Sequence, residues 1–209
     1  ADVGGDYADL FELPENKLLI VIGDVTGHGV SASLLTAMVK ASIFNFANQN
    51  TPINDMVTNT SNMICDLLNK RKLMTFCAII LNKETGEMQI CNAGHPYPII
   101  KEKEIGKYRV ATKTSFPMGA SKKRCRYLYE SEILNNDETL FLYTDGFPEA
   151  EDENGKVYGY EKFKQLIANT PITDSVSFKN TLIEVFKQHH KDLELADDIT
   201  FIIVRRTSL

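Results

Sequence analysis

A run of apolar residues that ends on an acid is the feature that most constrains this chain. Residues 18–22 read Leu-Leu-Ile-Val-Ile and lead through Gly23 into Asp24. A short apolar run that is rich in β-branched residues is typical of a fully buried strand. A carboxylate at the end of such a strand is unfavourable unless a cation lies beside it. Asp24 is therefore predicted to hold a ligand. Gly27 and Gly29 permit a tight turn from this strand into a following helix.

The same arrangement recurs in distant parts of the chain. The run 139–143 leads into Asp145, the acids 197–198 precede the apolar run 201–204, and Asp6 lies in a Gly-Gly-Asp-Tyr segment. Any one of these acids alone is better interpreted as a turn or cap residue, but four such positions favour a shared site. Carboxylates about 4 Å apart repel by a few kcal/mol, so a shared site needs bound cations or protons. Oxygen ligands favour Mg²⁺ or Mn²⁺ over zinc.

Hydrophobic periodicity predicts hairpins that alternate with pairs of helices. The predicted strands are 7–13, 18–23, 76–81, 88–92, 99–100, 127–133, 138–143 and 201–204, and the predicted helices are 31–48, 53–69, 161–168 and 175–189. The strands 127–133 and 138–143 are expected to pair as a hairpin across Asn135-Asn136-Asp137. This order predicts two sheets covered by helices, an α/β sandwich in a single domain that spans residues 1–209.

Composition excludes several classes of function. The net charge of −5 argues against nucleic acid as the main ligand, because binding phosphate backbones requires clustered Lys and Arg. The basic runs 70–72 and 122–124 are interpreted as solvated loops. No apolar run approaches the ~18 residues of a membrane span, so no membrane contact is expected of this chain. The four cysteines lack C-x-x-C spacing and are expected to be buried thiols of a cytoplasmic protein, namely Cys65, Cys77, Cys91 and Cys125.

Five motifs resemble, in order, those of the bacterial metal-dependent (PPM-type) Ser/Thr protein phosphatases, in the SpoIIE/RsbU branch. They are Gly4–Tyr7, Gly23–Gly29, Asn92–His95, Tyr143–Gly146 and Asp197–Thr200, and they span essentially the whole chain. The resemblance implies a four-layer αββα sandwich of two antiparallel sheets flanked by helix pairs. It also implies a site for two divalent cations, Mn²⁺ or Mg²⁺, at one end of the sheets. The implied reaction is attack of a metal-activated water on phosphoserine or phosphothreonine, without a phosphoenzyme.

The resemblance assigns a role to individual residues. Asp24 would bridge the two ions, and the backbone carbonyl of Val25 would bind the second ion. Asp145 and Asp198 would complete the shell of the first ion, and Asp6 would hold the second ion directly or through water. Asp24, Asp145 and Asp198 are the expected catalytic residues.

Other positions are expected to support these ligands. Asp197, Thr26 and His28 would lie around the ligands, and His28 is interpreted either as a turn residue or as a catalyst. In the eukaryotic relatives a His follows the bridging Asp-Gly as a proposed general acid, whereas Val25 follows Asp24 here, so the sequence assigns no general acid. His95 is expected to shape its loop. The acidic loop 147–160 is interpreted as a flap beside Asp145.

The family also implies a setting in bacterial signal transduction and sigma-factor regulation. The substrate would be a phosphoprotein, such as an anti-anti-sigma-factor-like regulator, and an upstream sensory or response-regulator module would control the enzyme, with homodimerisation as one route. The abrupt start at Ala1 is expected of a C-terminal catalytic fragment, and the full-length protein could be membrane-anchored upstream. Two alternatives stay open: a non-catalytic partner-binding domain of the same fold, and a hydrolase of a small phosphorylated molecule. No expected ligand acid is missing, which favours catalysis.

Overall fold

The computed structural model describes residues 4–27, 29–68, 72–121, 126–172, 174–191 and 193–207. The chain forms two compact units, each with one antiparallel sheet and two helices. The first unit comprises Ala1–Tyr97 and Ala111–Leu134, and the second comprises Pro98–Val110 and Asn135–Leu209.

In chain order the elements are β1 (Tyr7–Leu13), β2 (Lys17–Val25), α1 (Val30–Asn48), α2 (Ile53–Leu68), β3 (Met74–Asn82), β4 (Glu87–Ala93), β5 (Ile99–Lys101), β6 (Tyr108–Val110), β7 (Glu130–Ile133), β8 (Thr139–Tyr143), α3 (Tyr160–Asn169), α4 (Ser175–His190) and β9 (Phe201–Arg205). Two antiparallel sheets with four helices confirm the predicted mixed α/β fold class.

The sheet of the first unit has the order β1-β2-β3-β4-β7. The predicted hairpin of β1 and β2 is confirmed, and its register pairs Tyr7 with Gly23. This register brings Asp6 and Asp24 to the same end of the hairpin. The apolar run of β2 is fully buried, with no exposure at residues 19–22. Helices α1 and α2 contribute to the core on one face of this sheet with Leu35, Val39, Ile43, Met56 and Ile64.

Helix α1 is the one described helix that is long and apolar enough to cross a membrane, judged by length and composition alone. Five of its residues are buried in the core of the first unit, namely Ala32, Leu35, Val39, Ile43 and Ala47. A core helix of this kind passes the same test, so the finding is weak evidence for a membrane span.

The sheet of the second unit has the order β6-β5-β8-β9. All five residues of the central strand β8 are buried. Its Phe141 ring lies 6.0 Å from the rings of Phe163 in α3 and Phe178 in α4. This aromatic cluster fixes both helices against the strand that leads into Asp145.

The predicted hairpin of residues 127–133 with 138–143 is wrong. Strand β7 pairs with β4, whereas β8 pairs with β5 and β9 in the other sheet. The polar sequence Glu-Ser-Glu of β7 suits a sheet edge, and the apolar β8 needs neighbours on both sides. Strand β9, expected to be buried, is a half-buried edge strand of its sheet.

Three of the four cysteines are free and buried, as predicted: Cys65, Cys77 and Cys91. Burial raises the pKa of the Cys91 thiol to about 12, so it stays protonated and unreactive at neutral pH. Cys125 and the basic residues 70, 71 and 122–124 lie outside the described residues.

One half-buried ion pair ties β6 to the start of β8. The guanidinium of Arg109 donates to both carboxylate oxygens of Glu138, at 2.7 and 2.8 Å, and the Asn135 amide donates to the same group at 2.8 Å. Burial alone would raise the pKa of Glu138, but these hydrogen bonds outweigh it and lower the pKa below its ordinary value of 4.5. The ionised form of Glu138 therefore stabilises the folded state.

We expect Glu138→Gln to lower the free energy of unfolding at pH 7 by about 1–3 kcal/mol, because it removes a charge-assisted bidentate contact. The stabilisation is present above the pKa of the unfolded chain and is lost as the pH falls through the lower folded-state pKa. Urea denaturation at pH 7 and below pH 4 should therefore show a difference from wild type that shrinks in acid. The control is Glu104→Gln, which breaks an exposed pair with Lys107; an equal loss in both variants would contradict the assignment.

Candidate metal centre

Oxygen atoms surround the space in front of Gly5. A Cβ placed on Gly5 would lie 3.0 Å from the Val25 carbonyl oxygen, 3.1 Å from Asp24 Oδ1 and 3.3 Å from the Gly27 carbonyl oxygen. These three oxygens therefore face one point, and only glycine leaves that point open. A cradle made of a carboxylate and two carbonyls has the donor chemistry that Mg²⁺ and Mn²⁺ prefer. The residues present thus fit a hard divalent cation.

Helix α1 holds the segment that carries Gly5 and Asp6. The hydroxyl of Ser33 lies 3.4 Å from the Gly4 carbonyl oxygen and 3.2 Å from that of Gly29, so its proton is shared between them. The hydroxyl of Thr36 likewise lies 3.3 Å from the Gly5 carbonyl oxygen and 3.1 Å from that of Ala32. These two hydroxyls lie three residues apart, on one face of the helix. They place the half-buried Asp6 beside the end of β2. Neither hydroxyl was singled out from the sequence, although a spacing of three residues in a predicted helix places both on one face.

A second network holds Asp24 from the neighbouring strand. Thr75 lies opposite Asp24 in the β2–β3 register, and its hydroxyl lies 3.5 Å from the Asp24 carbonyl oxygen and 2.9 Å from His95 Nδ1. The Asn92 side chain accepts from the His95 amide at 2.8 Å and donates to the His95 carbonyl at 3.0 Å. The Asn-Ala-Gly-His motif therefore forms a closed turn, as the sequence predicted, and also directs a buried imidazole towards the strand of Asp24.

The second unit brings Asp145 and Asp198 together through the β8–β9 ladder. The Thr144 hydroxyl accepts from the Thr200 amide at 3.0 Å and donates to the Asp198 carbonyl at 3.5 Å. A Cβ on Gly146 would lie 2.1 Å from the Asp198 carbonyl oxygen. The segments around Gly146 and Asp198 approach each other too closely for any side chain at position 146, which explains why glycine follows Asp145.

The charges around Asp145 are unfavourable to its ionised form. Burial, together with the nearby carboxylates of Glu149 and Asp197, raises the pKa of Asp145 above its ordinary value. The exposed Asp197 also accepts from the Asp198 amide at 2.8 Å. Carboxylates that are held together in this way are stabilised by a bound cation.

The predicted residues are thus distributed over both units. Asp6, Asp24 and Val25 lie at one end of the first sheet, and Asp145, Asp197 and Asp198 lie at one end of the second. Thr26 exchanges hydrogen bonds with Leu73, and its carbonyl accepts from Lys72 Nζ at 2.7 Å. Thr26 therefore fixes the turn after Asp24. His28 lies outside the described residues.

Solved structures identify the class of fold. The SiaA-PP2C domain of Pseudomonas aeruginosa superposes with a TM-score of 0.85 over 97% of this chain and 81% of that chain, at 19% identity. RsbX in complex with magnesium superposes with a TM-score of 0.70 over 96% of this chain and 86% of that chain, at 16% identity. At these identities the likeness establishes the fold, which is that of the PP2C-type phosphatase domains.

The family model for stage II sporulation protein E (SpoIIE) matches residues 14–207. The chain belongs to the SpoIIE family, which confirms the resemblance drawn from its motifs. The phosphoserine phosphatase RsbP of Bacillus subtilis (strain 168) is 27% identical over 98% of this chain and 49% of its own length. The chain spans 36% and 49% of the first curated relatives that it matches, so it corresponds to a part of them.

We expect Thr75→Val to lower the free energy of unfolding by about 1–3 kcal/mol, because His95 Nδ1 then loses a buried hydrogen-bond partner. Thr75→Ser keeps the hydroxyl and should lose less than half as much. Urea denaturation of both variants measures this difference. Equal losses would mean that the methyl group of Thr75 contributes as much as its hydroxyl, which would contradict this assignment.

Proposed function

We propose that residues 1–209 form one catalytic domain, which removes phosphate from serine or threonine residues of a phosphoprotein in a metal-dependent reaction. The observation that carries this proposal is the oxygen cradle of Asp24, Val25 and Gly27 in a chain of the SpoIIE family. All five expected acids are present, which disfavours a non-catalytic binding domain. The relative RsbP is a phosphoserine phosphatase, which supports the same chemistry here.

The proposed ligands of two Mn²⁺ or Mg²⁺ ions come from both units. Asp24 would hold both ions, and the Val25 carbonyl would hold the second. Asp145 and Asp198 would hold the first, and Asp6 would hold the second directly or through water. Bound divalent ions lower the pKa of water and neutralise charge on a phosphoryl group. Support comes from the donor chemistry, from the raised pKa of Asp145 and from the magnesium complex of the PP2C-fold neighbour RsbX.

The chain's own residues keep these oxygens in place before any ligand arrives. Thr75 and His95 hold the backbone at Asp24, and Thr144 holds that at Asp198. A preformed arrangement needs little reorganisation when charge develops on the phosphoryl oxygens. The threonine and histidine contacts are therefore positioning contacts in the proposed mechanism.

The proposed biological setting follows the family. The substrate is a phosphoprotein of an anti-anti-sigma-factor-like kind, and the domain is controlled in the cytoplasm by an upstream sensory or response-regulator module, with dimerisation as a means of control. A second candidate, hydrolysis of a small phosphorylated molecule, uses the same residues. Assays that compare phosphoproteins with small phosphate esters separate the two functions.

We expect Asp24→Asn to reduce turnover at least 100-fold, because it removes the bridging charge with little change in volume. The measurements are hydrolysis of p-nitrophenyl phosphate and of a phosphoserine peptide with and without Mn²⁺, and Mn²⁺ binding by calorimetry. The control is Asp9→Asn, on β1 of the same unit, where the carboxylate pairs with Lys40. A folded Asp24→Asn protein with wild-type Mn²⁺ affinity and turnover would refute the two-metal assignment.

We expect Gly5→Ala to weaken Mn²⁺ binding about tenfold or more without any change of charge, because the added methyl group fills the oxygen cradle. Calorimetric titration measures this effect, and thermal unfolding without metal reports whether the fold is kept. A variant that unfolds like the wild type and binds Mn²⁺ equally well would place the ion elsewhere.

A further inference from the structure

The second unit contains an acidic cavity of about 560 Å³ that begins at Asp145. Its walls are the loop after β8 and the segment before β9. Seven acidic residues line it, and no Lys or Arg is among its described lining residues: Asp145, Glu149, Glu151, Asp152, Glu153, Glu194 and Asp197. A cleft that is lined by charge of one sign concentrates the field and attracts the opposite charge.

Three acids of the loop 149–153 each have a hydrogen-bond or ion-pair partner of their own. Glu149 accepts from the Tyr160 hydroxyl at 2.8 Å, Asp152 caps its own turn by accepting two backbone amides, and Glu153 pairs with Lys191 at 2.6 Å. Among the residues that the structure describes, no three ligand atoms of loop 149–153, His190 and Glu194 converge within 4.8 Å. These loop residues, His190 and Glu194 therefore do not form a cage for one metal ion.

His190 supplies an independent observation on the same cavity. Its side chain lines the cavity, is only 6% exposed, and stacks on the ring of Phe186 at 5.0 Å. Nδ1 lies 3.0 Å from the Glu151 carbonyl oxygen, which can only accept, so Nδ1 carries the proton. In the neutral ring Nε2 is then an acceptor, and it is buried without a hydrogen-bond partner among the described residues. A buried acceptor of this kind calls for a donor.

We propose that this cavity binds a basic side chain, arginine or lysine, of the phosphoprotein substrate, close in sequence to the phosphorylated residue. The proposal rests on the proposed phosphatase function. A guanidinium or ammonium group has no acceptor and several donors, so it can donate to His190 Nε2 while the surrounding carboxylates balance its charge. Asp145 links the cavity to the proposed metal ligands, so a side chain bound there belongs to a residue near the phosphate.

The test compares two phosphoserine peptides that differ only in one flanking residue, arginine or glutamate. We expect the wild type to show a kcat/KM at least fivefold higher for the arginine peptide in Mn²⁺, and a preference that declines with added salt. Fluorescence anisotropy in EDTA measures the binding of the same peptides without turnover. Hydrolysis of p-nitrophenyl phosphate, which has no flanking residue, tests the phosphatase function separately.

The key variant is Glu151→Gln/Glu194→Gln, which removes two cavity charges outside the proposed metal ligands. We expect it to lose most of the preference for arginine, about twofold for each carboxylate, and to keep its activity on p-nitrophenyl phosphate. The control is Glu184→Gln, on an exposed part of α4 away from the lining residues. It should keep the wild-type preference.

Three outcomes overturn the proposal. Equal kcat/KM and equal affinity for both peptides would mean that the cavity does not read a basic residue, even if p-nitrophenyl phosphate is hydrolysed. If Glu184→Gln lost the same share of the preference for arginine, that preference would come from the net charge of the protein and not from the cavity. If the double variant bound one Mn²⁺ ion fewer than the wild type, and the wild type bound both peptides equally in EDTA, the cavity would be a metal site. Absence of all hydrolysis refutes the phosphatase function, and the anisotropy comparison still decides the cavity.

Discussion

The placing of partly buried carboxylates at the ends of buried strands is the constraint on which this structure depends. β2 and β8 are buried, largely apolar strands, and each leads into an acid that water reaches only partly. Such acids keep their positions because the backbone around them is fixed by ladder hydrogen bonds and by a threonine hydroxyl. Thr75 does this across the ladder from Asp24, and Thr144 does it between β8 and β9. The buried strands thus supply the rigidity that a preformed site requires.

Much of the fold could be predicted from the sequence, because local pattern specifies local structure. The alternation and turns of residues 7–25 predicted the hairpin that brings Asp6 beside Asp24, and the register confirms it. The pairing of β7 with β8 was predicted wrongly, because a short loop between two strands favours a hairpin unless burial decides otherwise. Their partners β4 and β5 are distant in sequence, and no local signal identifies them.

The proposed ligand acids were singled out from the sequence because most of them lie directly beside apolar runs, but the sequence did not explain the glycines beside them. The sequence pattern assigns no role to Gly5 or Gly146, whereas the structure shows close approaches, to the oxygens around Asp24 and to the Asp198 carbonyl. A close approach depends on two segments far apart in the chain. His95 and His190 illustrate the same limit, because their roles follow from which ring nitrogen meets which acceptor.

The acidic cavity and the proposed metal ligands are electrostatically linked, because Asp145 and Asp197 line the cavity and border the ligand Asp198. A divalent cation bound at Asp145 lowers the negative charge that a basic side chain experiences in the cavity. By thermodynamic reciprocity, a bound basic side chain would lower the affinity for the cation by the same factor. In the proposed complex the loop acids Glu149, Glu151 and Glu153 would moderate this competition, because they keep negative charge in the cavity when a cation neutralises the proposed metal ligands. The histidine contacts of α4 to the Ala150 and Glu151 carbonyls hold that loop in place against its own repulsion.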